Sequence, residues 1–234
     1  MRRQRHQTTP SLTLDQLLDQ SAWFAELDDP AKAQVCADAS ERALATGESL
    51  GHHGERQHAW FGVLEGLIKW SITGRDGRSI TLGGQSVGSW FGEGTLVRDT
   101  ARQSDLVALR HSRVAMIPRE TFDWLRRSRP SFNDHLLRQV NERLHWFMGS
   151  LVAHGLLDTD SQVARALVGM VHPLLNPHGE RHLQLSQEEL ASLAAVSRQS
   201  CNSALMRFKD AGLVRSEYGG IVVMDLPGLQ RRAE

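Results

Sequence analysis

Twelve of the 20 glycines fall between residues 47 and 94, one in every four positions. Each glycine inside a helix costs about 1 kcal/mol relative to alanine, so no helix of ordinary length fits that spacing. The stretch from Arg42 to Pro118 therefore reads as short strands joined by tight turns. Lys69-Trp70-Ser71-Ile72-Thr73 and Ser79-Ile80-Thr81-Leu82 flank Asp76-Gly77, a hairpin signal, and the region as a whole predicts an antiparallel sandwich or barrel. Ahead of it, Leu14, Leu17, Leu18, Trp23, Phe24 and Leu27 follow helical spacing, interrupted at Asp28-Asp29-Pro30, and predict a small helical lead-in. Residues 1–12 read as a disordered basic tail.

Composition removes several function classes. The 27 basic residues are balanced by 27 acidic ones, so bulk charge gives no support for nucleic-acid binding and such a role must rest on a local motif. No run approaches the roughly 18 apolar residues of a membrane helix, and Met1-Arg2-Arg3-Gln4-Arg5-His6 leads into polar Gln7-Thr8-Thr9-Pro10; a cytoplasmic chain without a membrane partner is expected. Cys36 and Cys201 stand far apart, which excludes a disulfide framework and an all-thiolate metal site.

Beyond Pro118 a helical pattern takes over. Phe122, Trp124 and Leu125 mark one helix, and a longer one is expected over residues 130–157, with Leu137, Val140, Leu144, Phe147, Leu151 and His154 in a 3-4-3-4-3 spacing. That spacing is the seam of a two-stranded coiled coil, with an amphipathic helix packed on its own domain as the alternative. Gly155 and Asp158-Thr159-Asp160 mark a break, followed by a helix from Ser161 to about Leu175 closed by Asn176-Pro177. The resulting division is 13–129 for the lead-in and β-region, 130–157 for the long helix and 158–234 for a C-terminal domain.

That last domain carries the functional motif. Ser186 with Glu189 forms a capping box that opens one short helix, and Ser197 is placed to cap a second, expected over 198–211, after a tight connection. Ala191, Ala194 and Ala195 permit close approach, while Leu190, Val196, Ala204, Leu205 and Phe208 supply a shared core. Leu213–Ser216 and Ile221–Met224 then flank a turn, completing a winged helix-turn-helix. Arg198, Gln199, Asn202 and Ser203, with the capping Ser197, are the residue types that reach base edges or phosphates, and Arg207 would lie toward the phosphates. Double-stranded DNA is the expected partner.

The order of parts resembles the Crp-Fnr family of bacterial transcription regulators. The resemblance is carried by Trp60-Phe61-Gly62-Val63-Leu64-Glu65-Gly66-Leu67-Ile68, by Phe91-Gly92-Glu93, and by Leu185-Ser186-Gln187-Glu188-Glu189-Leu190-Ala191 with Ser197-Arg198. It implies an α+β chain: an N-terminal cyclic-nucleotide-binding-type β-roll (jelly roll), a long dimerisation helix and a C-terminal winged helix-turn-helix. It further implies a homodimeric, non-enzymatic regulator of transcription, with RNA polymerase as a further partner and no catalytic residue. One departure is Ala195, where the family commonly has glycine; a left-handed alanine there would be strained by about 1 kcal/mol.

In cyclic-AMP-binding members the Gly-Glu pair is followed, ten residues after the glutamate, by an Arg-Ser pair that holds the cyclic phosphate. Here Gly92 and Glu93 are kept, but Gln103 stands ten residues on, followed by Ser104 and by Asp105, which adds a carboxylate beside the would-be anion, and Arg102 falls on the opposite face if this is a strand. The family's Thr-Ser pair for the purine falls on Phe147 and Met148. Neither satisfies a buried amine, a loss of about 1–3 kcal/mol for each group left unpaired. The implied effector pocket, Gly92, Glu93, Gln103, Ser104, Phe147 and Met148, is thus not expected to take cyclic AMP, and no cofactor is assigned. His52, His53 and His58 read as solvated, with no metal site expected. A cupin-like β-roll enzyme or small-ligand module with dimerising C-terminal helices is the alternative reading.

Overall fold

The computed structural model describes residues 11–74, 79–156, 158–177, 181–217 and 220–233, with backbone alone for 149–156. The Asp76-Gly77 turn and the first ten residues of the expected tail lie outside them. The last two tail residues do not fit the disordered reading: Ser11 bridges Glu65, and Leu12 donates its backbone N–H to Leu64 at 2.9 Å.

Three short helices open the chain: α1 (Leu14–Asp19), α2 (Ala22–Ala25) and α3 (Asp29–Asp38). The Asp28-Asp29-Pro30 interruption is the start of α3, because the Asp28 carboxylate caps Ala31 and Pro30 needs no hydrogen-bond acceptor in the first turn. Eight strands follow: β1 (Ser40–Leu44), β2 (Ser49–Gly51), β3 (Ala59–Glu65), β4 (Leu67–Thr73), β5 (Ser79–Ser86), β6 (Trp90–Phe91), β7 (Asp105–Ala108) and β8 (Ser112–Pro118), with α4 (Glu93–Arg98) between β6 and β7. They form two antiparallel sheets, ordered β1-β8-β3-β6 and β2-β7-β4-β5. Phe61, Val63, Ile68, Phe91, Leu106 and Val114 fill the space between the sheets. Strand β3 is buried on both faces, since its alternate residues Trp60 and Leu64 face the helices. There Trp23, Trp60, Trp90, Phe122 and Phe132 form one aromatic cluster, with Trp60 and Trp90 ring centroids 4.6 Å apart.

Helix α5 (Arg119–Ser128) leads into α6 (Pro130–Leu156), whose Phe132 and Leu136 anchor it on that cluster. Helix α7 spans Thr159–Met170, capped by Asp158, and stops short of the expected Leu175. Past its end, His172 Nδ1 accepts the backbone N–H groups of Leu174 and Leu175, offering them an alternative to the helical ladder. The remainder comprises β9 (His182–Leu183), α8 (Gln187–Ala194), α9 (Arg198–Asp210), β10 (Val214–Glu217), β11 (Gly220–Val223) and α10 (Leu226–Arg232). Strand β9 extends the wing into a three-stranded sheet, β10-β11-β9; it, α4 and α10 carry too few residues to show in a periodicity reading. Among the described residues no helix is long and apolar enough to cross a membrane.

The C-terminal unit packs on the β-roll through β5. Thr81 Oγ1 donates to the Ser192 carbonyl at 2.8 Å, and the Asn176 Oδ1 accepts from Ser86 N, Ser86 Oγ and Ser89 Oγ at 2.8–2.9 Å. A Cβ added to Gly84 would stand 2.9 Å from Leu193 and 3.1 Å from Met170.

Ala195 has φ 55° and ψ 37°, the left-handed conformation expected of it, and it is exposed. Ala195→Gly should therefore raise the unfolding free energy by about 0.5–1 kcal/mol in a urea titration. An unchanged or lowered value would contradict strain at this turn.

Candidate nucleic-acid interface and effector cavity

Helices α8 and α9 meet at the Ala195 turn. The Ser186 hydroxyl accepts the Glu189 N–H at 3.1 Å while the Glu189 carboxylate accepts the Ser186 N–H at 2.8 Å, the reciprocal cap read from the sequence. The other Glu189 oxygen accepts from Arg110 Nε at 2.6 Å, and Arg110 Nη2 donates to the Gln184 carbonyl. Ser197 Oγ accepts the Ser200 N–H at 3.0 Å and so caps α9. Cys201, Ala204, Leu205 and Phe208 turn into the core, and burial pushes the Cys201 thiol up to about 11, which keeps it protonated.

The opposite face of α9 presents Arg198, Gln199 and Asn202, exposed and with no side-chain hydrogen bond among the described residues. The other three expected contacts are placed differently. Ser197 is spent on the cap, Ser203 Oγ donates back to the Gln199 carbonyl at 3.1 Å, and Arg207 is held by the Asp160 carboxylate, with Nε to Oδ2 at 2.6 Å. That ion pair raises the Arg207 pKa and turns its guanidinium toward the N-terminus of α7.

A second site lies in the β-roll, a cavity of about 340 Å³ between β4, α4, β7 and α6. Gly92, Glu93, Gln103, Ser104 and Phe147 line it, as expected; Met148 does not and is exposed. Gly92 has φ +97°, and a Cβ there would stand 2.2 Å from Gln57 Nε2. Gln57 is buried and ties the wall together, donating to the Gly92 and Ala59 carbonyls and accepting from Arg102 Nη2 at 2.6 Å. Glu93 is buried and paired with Arg143 of α6 at 2.7 Å; Arg143 also donates to the Trp90 carbonyl and lies 5.8 Å from the Trp70 ring.

Two expectations about this cavity need correction. Arg102 does lie opposite Gln103 on the chain, but Arg102 and Ser104 are the buried, inward residues and Gln103 is exposed at the rim, so a guanidinium is present in the wall. Burial lowers its pKa, opposed by Glu55 and Asp105. Asp105 adds no carboxylate to the cavity, because it turns outward to accept from His53 N at 3.0 Å and Thr73 Oγ1 at 3.1 Å. Gln57, Trp70 and Arg143 escaped the sequence reading: each lies far along the chain from Glu93, with no spacing to link it.

The long helix divides its faces. His135, Gln139 and Arg143 are buried against the β-roll, whereas Leu137, Val140, Leu144 and Met148 form an exposed apolar stripe, with Leu137 69% and Leu144 56% exposed. Phe147, expected on this stripe, instead meets Trp70 edge to face, ring centroids 5.2 Å apart, and Met148, one position on, ends the stripe. The Leu151 side chain lies outside the described residues. His52, His53 and His58 are exposed.

Comparison with known proteins matches both halves. The family model of the cyclic nucleotide-binding domain fits residues 41–129, and that of the Crp-like helix-turn-helix domain fits residues 161–232. The chain is 25% identical over 225 residues to the CRP-like cAMP-activated global transcriptional regulator of Mycobacterium tuberculosis, covering 94% of this chain and 100% of the relative. It is 26% identical over 192 residues to the cyclic AMP receptor protein of Thermus thermophilus, covering 82% and 87%. FixK2 from Bradyrhizobium japonicum shares the fold, with a TM-score of 0.69 at 16% identity over 84% of this chain and 98% of that one. With a cyclic nucleotide-binding domain followed by a Crp-like helix-turn-helix, the chain belongs to the Crp-Fnr family of DNA-binding transcriptional regulators.

Proposed function

We propose that the protein acts as a cytoplasmic homodimer that reads a palindromic operator through Arg198, Gln199 and Asn202 of α9, and that it does so without cyclic AMP. The observation that carries this reading is the division of α6. One face is already fastened to the β-roll by Arg143–Glu93 and Phe147–Trp70, and the other offers Leu137, Val140, Leu144 and Met148 to a second copy. A ligand shifts a conformational balance only through its differential affinity for the two states, and here the chain itself supplies the bridge between β-roll and helix. The working division remains 13–129, 130–157 and 158–234. RNA polymerase as a partner rests on the family resemblance. Relatives that cover three quarters or more of this chain are named transcriptional regulators, which favours this reading over the cupin-like alternative.

Two observations favour a second reading, in which the cavity takes an anionic effector such as a cyclic nucleotide. Arg102 stands in the wall, and among the described residues the buried Glu93 Oε2 has no hydrogen-bond partner. The two readings separate in one experiment. The purified protein should shift operator DNA with no nucleotide present, and millimolar cyclic AMP should add no affinity; calorimetry showing micromolar binding together with a tighter shift establishes the second reading.

The DNA face is tested by base. The Arg198 fork suits guanine O6 and N7, so Arg198→Ala should cost about 1–3 kcal/mol at one guanine per half-site. Family members that read TGTGA-type half-sites carry a glutamate one residue after this arginine and an arginine five after it; here Gln199 and Ser203 stand there. Glutamine pairs with adenine where glutamate accepts from cytosine, so selection from random DNA should return a palindrome that keeps the guanine and differs beside it. Recovery of unaltered TGTGA would contradict this.

Assembly is tested on the stripe. Leu137→Asp with Leu144→Asp should give monomers by light scattering and abolish specific DNA binding, because a single winged helix loses its second half-site, while tryptophan fluorescence of the β-roll stays native. A dimeric double variant would sink the seam.

A further inference from the structure

Helix α9 exposes one large apolar side chain, Met206, at 59%. A solitary surface methionine is ordinary, and exposure alone assigns it nothing. Its place on the helix is what distinguishes it. Met206 follows Asn202 by four residues and Gln199 by seven, so at 3.6 residues per turn all three share one stripe. That stripe lies opposite the buried Cys201, Ala204 and Phe208. The next residue, Arg207, is turned away to Asp160, while Lys209 and Asp210, three and four residues on, are exposed beyond Met206 at the end of the same face.

A cation at this place would meet a phosphate, a contact that positions the protein and carries no base information. A thioether has neither charge nor a strong hydrogen-bonding group. In the major groove the apolar feature offered by a base pair is the 5-methyl group of thymine, and an unbranched, polarizable side chain adapts to it well. We propose that Met206 is a specificity-determining residue that packs against the methyl group of one thymine in each half-site. This rests on α9 being the reading helix.

The test uses the full-length protein and the operator obtained by selection. Each thymine is replaced in turn by deoxyuridine, which removes the methyl group and leaves the hydrogen-bonding edge unchanged. At one thymine per half-site the replacement should weaken wild-type binding roughly fourfold, the worth of one buried methyl group. Met206→Ala should show no loss at that thymine while keeping its other preferences, and Met206→Leu should retain the sensitivity. The same deoxyuridine profile for wild type and Met206→Ala would overturn the proposal. Arg198→Ala separates the two levels: if it leaves the guanine preference intact, α9 is not the reading helix and both readings fall.

Discussion

The orientation of the long helix depends on the contact between Arg143 and Glu93. Both groups are buried, and the arginine also donates to the Trp90 carbonyl at the edge of β6. Replacing such a pair by apolar residues is often neutral, whereas removing one partner strands the other charge and costs about 3–5 kcal/mol. The pair therefore contributes orientation more than net stability. It fixes which face of α6 meets the β-roll, and so which face carries the apolar stripe. The helix-turn-helix inherits its direction from there, because only two residues separate the end of α6 from the start of α7.

The β-roll and the DNA-binding unit are joined by few bonds but a continuous surface. Asn176 uses one oxygen for three donors on the turn between β5 and β6, and a cavity of about 60 Å³ lies beside it among β5, α6, α7 and α8. Trp70, Leu82, Arg143 and Phe147 line this small cavity and the larger one in the β-roll alike. Anything that displaces Trp70 or Phe147 from the first changes the shape of the second. A shared wall of packed side chains thus runs between the larger cavity and the DNA-binding unit inside one protomer.

Legibility in the sequence followed the range of the forces involved. The glycine-dense block, the two helix caps and the left-handed Ala195 are set by neighbours within four residues, and each lies where local chemistry puts it. The long helix lies where its spacing put it and leaves Leu137, Val140 and Leu144 exposed, but heptad counting had no means to see that Trp70, 77 residues earlier, draws Phe147 inward. Arg102 and Asp105 were misjudged for a related reason. Alternation tells which residues face together, but the choice of face is made by Gln57 and by the His53 turn, both remote in sequence. Arg207 carries the same lesson, since Asp160 claims it from another helix.

Gly84 shows how fine the gauge between the two units is. Its backbone needs no left-handed conformation, so what the position requires is room: Leu193 and Met170 come closer than a methyl group would allow. A side chain there would be a wedge between the β-roll and the helix-turn-helix unit, and its length would set how far the two stand apart. Substitution at this one position would thus change the angle between them without altering any residue of α9 or of the larger cavity wall.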